Sequence, residues 1–66
     1  MSGIKLFFTL HEAKRYAYEY GGDRKQYIVR SSLLSSVMLI DSDIFENKEG
    51  FFQENRKQME IVFVYE

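Results

Sequence analysis

The sequence predicts a single α+β domain: a mainly antiparallel four-stranded sheet in β-α-β-β-β order, with one helix over residues 10–20 packed on one face. Three observations carry this expectation. Residues 4–8 and 58–66 alternate at the period of a strand, and Leu10 to Tyr20 repeats its apolar positions at the period of a helix. The connections between these stretches are only a few residues long, so neighbouring elements pack locally. At 66 residues the chain is one domain, 1–66, with no room for a second.

The first strand is Ile4-Lys5-Leu6-Phe7-Phe8, with Ile4, Leu6 and Phe8 on one face and Phe7 on the other. Thr9-Leu10-His11-Glu12 has the form of a capping box, in which the threonine hydroxyl takes an amide of the first turn and the glutamate reaches back. Leu10, Ala13, Tyr16, Ala17 and Tyr20 then form one stripe at 100° per residue, and Gly21-Gly22 supplies the left-handed stop. The two alanines allow the helix to lie close to a sheet. Gln26 to Arg30 is a β-branched and aromatic second strand, a serine-bracketed connection follows, and Val37 to Ile40 is the third strand.

Residues 58–66 form the clearest strand, with Met59, Ile61, Phe63 and Tyr65 on one face and Val62 and Val64 on the other. Between them, residues 41–57 read as a hairpin-like excursion around an Asn47–Gly50 turn, with a short helix after Ser42 or Asp43 as the alternative. Whether the first strand lies beside the second or the fourth is not encoded in these patterns.

Composition removes several classes of function. There is no cysteine, so disulfides, thiolate metal sites and cysteine nucleophiles are excluded, and a cytoplasmic, reducing setting is the expectation. The single histidine excludes any site that needs two. No apolar run approaches the ~18–20 residues of a membrane span, and the amino terminus, Met-Ser-Gly-Ile-Lys, has no apolar signal core. Asp41-Ser42-Asp43 begins like a calcium loop but has Phe52 where the twelfth-position glutamate belongs, so no metal is expected. No glycine-rich phosphate loop is present, and no cofactor is expected. A catalytic cleft is hard to house in a chain this short, and the serines at 31, 32, 35 and 36 read as turn residues, so the expectation is that the protein is not an enzyme.

Two surfaces stand out. His11, Lys14, Arg15 and Tyr18 form a second stripe on the helix, followed by Arg24 and Lys25. A basic stripe with a tyrosine could track phosphates and stack a base, which makes a small nucleic-acid binder the alternative reading. A solvated helix face, with Arg15 paired to Glu19, is the plainer account of the same residues. The other surface is apolar and acidic. Residues 1–30 carry six Lys/Arg against three acids, and residues 41–66 carry seven acids against three bases. Within the acidic half, Phe51 and Phe52 are candidate anchors, with Asp43, Glu46 and Glu49 as a steering rim.

With one helix available for one face of the sheet, the apolar side chains of the other face, Val62 and Val64 among them, need a cover. Either residues 41–57 supply it or another chain does. The leading expectation is therefore a protein-interaction module that acts as a homodimer or binds another protein through an apolar sheet face or edge. Small bacterial and phage regulatory and inhibitor proteins often share this size and layout, which is an analogy of architecture only. A ligand sensor or enzyme with a pocket shared between two chains is a third reading.

Overall fold

The computed structural model describes residues 3–66; Met1 and Ser2, part of the amino-terminal stretch read above for a signal sequence, lie outside the described residues. The elements run β1 (Ile4–Phe7), α1 (Leu10–Tyr20), β2 (Gln26–Ser31), β3 (Val37–Asp41), the one-turn helices α2 (Ser42–Phe45) and α3 (Phe51–Glu54), a 3₁₀ turn over Arg56–Gln58, and β4 (Met59–Tyr65). The sheet order is β1-β3-β2-β4 and every pairing is antiparallel. The first strand thus lies beside neither β2 nor β4 but beside β3. Because β1 and β2 both oppose β3, they run parallel to each other, and α1 is the crossover of a split β-α-β unit with β3 in the gap.

The helix forms where the capping box places it. Thr9 Oγ1 accepts the Glu12 amide at 3.2 Å, and the Thr9 amide donates to Glu12 Oε1 at 3.1 Å. At the other end the Gly21 amide closes on the Ala17 carbonyl at 2.8 Å, and Gly22 takes the reversal at φ 62°, a value that favours glycine. Ala13 and Ala17 are fully buried against Ile28, Val37 and Leu39, with Phe7, Leu10, Tyr16, Val62, Phe63 and Tyr65 around them. Thr9→Ala removes one half of the box and is expected to lower stability by about 0.5–2 kcal/mol in a thermal melt.

Residues 41–57 do not form the hairpin-like excursion; they form α2 and α3, the first close to the alternative of a short helix after Ser42 or Asp43 but starting at Ser42 itself. The two apolar pairs explain this. A single helical turn lets Ile44-Phe45 and then Phe51-Phe52 each direct one aromatic ring onto the sheet, which a flat hairpin would split between faces. Phe45 is fully buried and Phe52 nearly so, among Val29, Met38 and Ile40, with Tyr27, Ile44, Met59 and Ile61 at the margin. Gln53 Nε2 donates to the Phe45 carbonyl at 2.7 Å and ties the two turns together. The Asn47–Gly50 turn is present, closed by the Gly50 amide on the Asn47 carbonyl at 3.0 Å. Gly3 lies so close under this cap that a Cβ there would collide with Ile44 Cδ1 and come within 2.9 Å of Asp41 Oδ2.

The sheet therefore has a core on each face, one under α1 and one under α2 and α3. Phe7 and Ile28 belong to the α1 face. The pairing of β4 with β2 shifts between Ile28 and Val29, so Val29 opposes Ile61 while Ile28 opposes Phe63, and Val62 is the extra residue of a bulge. The bulge breaks the strict alternation expected from residues 58–66. Val62, Phe63 and Tyr65 pack toward α1, while Met59 and Ile61 pack toward the cap.

Candidate interaction surface

The cap covers the middle of the second face and leaves its β1 margin open. Leu6 is opposite Met38, so it points to the capped face, yet its side chain is 54% exposed. Phe8, the residue after the strand, is 88% exposed, and Ile4 is also exposed. Phe7 opposes Val37, so the end of β1 adjoins the β2–β3 turn, where Leu33 and Leu34 are exposed as well. Leu6, Phe7, Phe8 and Ser36 line a depression of about 240 Å³ at this corner. Ile4, Leu6 and Phe8 are thus the uncovered apolar residues at the β1 edge, while Val64 is uncovered at the β4 edge.

The backbone of that edge follows from the ladder. The Asp41 amide donates to the Gly3 carbonyl at 3.0 Å, which makes Gly3 and Asp41 a hydrogen-bonded pair. Hydrogen-bonded pairs alternate in an antiparallel ladder, so Lys5 and Phe7 bond β3, and the N–H and C=O of Leu6 point outward. β1 carries no proline and no bulge, and Lys5 is its only charge. Lys5 is turned to the α1 face, its Nζ 5.8 Å from the Phe7 ring and 5.2 Å from the Tyr16 ring. Among the described residues, the devices that keep this edge from pairing are its short length and one lysine.

The residues singled out in the acidic segment divide between core and rim. Phe52 is a core residue, and Phe51 stands 57% exposed with its ring edge-on to Phe52 at 5.5 Å. Glu46 pairs with Arg56 at 3.6 Å, and the Arg56 guanidinium lies 4.4 Å from the Phe45 ring centre. Asp43 Oδ1 accepts the Ile44 amide, and exposed Glu49 donates its own amide to Asn47 Oδ1 at 3.1 Å. Val62 is half-buried under α1, while Val64 is exposed on β4, opposite Tyr27 and at the far edge of the sheet from β1. The structure does not gather these residues into one patch.

The basic stripe is engaged within the chain at most of its positions. Lys14 Nζ sits 4.5 Å from the Phe63 ring centre, Arg15 pairs with Glu19 at 3.2 Å, and Tyr18 meets Tyr65 edge-on at 5.4 Å. Arg24 donates through Nε to the Gly21 carbonyl at 3.3 Å and lies 3.6 Å from Asp41, whose other oxygen accepts from buried Gln26 at 2.9 Å. Lys25 lies 5.9 Å from the Tyr27 ring, and His11 is exposed. A second depression of about 210 Å³ is lined by Gly3, Lys5, Tyr16, Arg24 and Gln26. Among the described residues no group of three His, Asp or Glu side chains is placed to hold a metal ion, and no helix is long and apolar enough to cross a membrane.

Sequence reasoning missed Leu6 and Phe8 as surface residues. Their alternation with Lys5 and Phe7 resembles a buried face, and only the reach of the cap decides otherwise. The available signal was length: two four-residue helices can roof the inner strands but not the outer one. Comparison with known proteins yields no matching family model, no matching curated protein and no matching solved structure.

Proposed function

We propose that this chain is a protein-interaction module without a catalytic role, acting as a homodimer through the β1 edge in a cytoplasmic setting. One observation supports the reading above the others: Leu6 and Phe8 are exposed on an edge strand, beside the outward-pointing backbone groups of Leu6. Apolar side chains and an open ladder in the same place are the two ingredients of strand addition. A domain of this size also has little stability to spare, and burial against a second chain adds to it. The acidic rim of the cap, with Asp43 and Glu49, lies outside that contact and acts on encounter with other proteins through its charge.

The melting temperature is expected to rise with protein concentration. Leu6→Glu places like charges on the paired edge and is expected to weaken association on the order of 100-fold, removing that concentration dependence. Because Leu6 is half out of the fold, the variant should melt like wild type at the lowest concentration. A wild-type melt independent of concentration contradicts the reading. So does a Leu6→Glu variant with undiminished concentration dependence.

A further inference from the structure

We infer that the depression between α1 and the β1–β3 ladder binds a small monocarboxylate with an apolar body, held between Lys5 and Arg24. Its walls come from one chain, so the site stands independently of the homodimer reading. The split β-α-β unit builds it. Lys5 on β1 opposes Leu39 on β3, and Gln26 on β2 opposes Asp41 in the next row of the same face. α1 brings Tyr16 to this corner, and Arg24 reaches it from the loop after the helix. The space is about 210 Å³, below the roughly 300 Å³ at which pockets for drug-sized ligands begin, so its occupant is small.

The charged and amide side chains around this space offer donors, and their acceptors are spent. Arg24 is fixed by two contacts, Nε to the Gly21 carbonyl at 3.3 Å and Nη1 to Asp41 at 3.6 Å, which leaves the N–H groups of Nη2 for a ligand. Lys5 belongs to none of the ion pairs among the described residues, and its Nζ rests 5.2 Å from the Tyr16 ring. Gln26 is only 3% exposed; its Nε2 gives one N–H to Asp41 Oδ1 at 2.9 Å and keeps a second. The amide cannot be turned over, because its oxygen would then face the carboxylate. Gln26 Oε1 is sealed from solvent without a partner, and both Asp41 oxygens are engaged.

Two cations, Lys5 and Arg24, against the one carboxylate of Asp41 leave a surplus of one positive charge, which a monoanion balances. Charge-assisted hydrogen bonds to a carboxylate are about twice as strong as those to a neutral acceptor. The Tyr16 ring and the Leu39 side chain supply apolar surface that a bare inorganic anion leaves unused, and this selects an organic body.

Benzoate is the probe, one carboxylate on a flat apolar ring, titrated into the full chain and followed by NMR. Saturable shifts are expected at the Leu39 methyls, the Tyr16 ring and the Gln26 side-chain amide. Benzamide, of the same shape without the charge, and inorganic phosphate, the charge without the body, are each expected to bind about 10-fold more weakly. Lys5→Gln and Arg24→Gln are each expected to weaken benzoate about 10-fold and to melt like wild type, since both side chains are exposed. The two variants alter different elements, so a loss of fold in one leaves the other as the test. Shifts that do not saturate, that benzamide or phosphate reproduces at the same concentration, or that neither variant diminishes would overturn the site.

Discussion

Phe45→Ala is expected to unfold most of the protein at 25 °C. Phe45 is fully buried where α2 meets the sheet, with its ring 5.5 Å from Tyr27 and 5.7 Å from Phe52. Truncating such a ring removes its transfer free energy and leaves a cavity, together about 3–5 kcal/mol. The cap rests on one-turn helices that have no stability of their own, so their packing onto the sheet is what holds them. A core in a domain this small supplies only about 3–5 kcal/mol net, so the loss matches the whole. Phe51→Ala, one residue from Phe52 but exposed, is expected to change stability by no more than about 0.5 kcal/mol. Circular dichroism melts of the two variants check this pair. A Phe45→Ala protein that melts within a few degrees of wild type would show that residues 41–57 do not close the second face.

The opposite face gives the second large effect. Ala17 is fully buried and α1 lies on Ile28, Val37 and Leu39 with nothing larger than a methyl group between. Ala17→Leu must push the helix away from the sheet or displace those side chains, an overpacking of about 1–3 kcal/mol. For a domain of this length that corresponds to a fall in melting temperature on the order of 4–8 °C per kcal/mol. An unchanged melt would mean that α1 is not seated on this seam.

α1 was legible in the sequence because its signals are local. Thr9, Glu12, the alanine-bearing stripe and Gly22 each act within a few residues, and the helix spans the expected Leu10–Tyr20. The fold class and the antiparallel pairing were legible for a related reason: short connections leave few alternatives. Three features were not. The position of β1 beside β3 depends on a crossover over α1, which no local pattern encodes. The bulge at Val62 moves one valine to the α1 face while sparing the apolar alternation that made residues 58–66 look regular. The exposure of Leu6 and Phe8 is a tertiary outcome, decided by how far a cap of two short helices extends. Phe52 shows the reverse case, an aromatic in an acidic surface segment that the fold draws inward.

The central claim is that the β1 edge, where the cap leaves Leu6 and Phe8 exposed, is the surface that takes a second copy. Sedimentation equilibrium of the wild-type protein from low to high micromolar concentration tests it most directly. The account predicts a mass that rises to twice that of the chain and stops there, because pairing β1 with its own copy consumes the edge and leaves no further β1 to add. A single species at the mass of one chain across the whole range would contradict it.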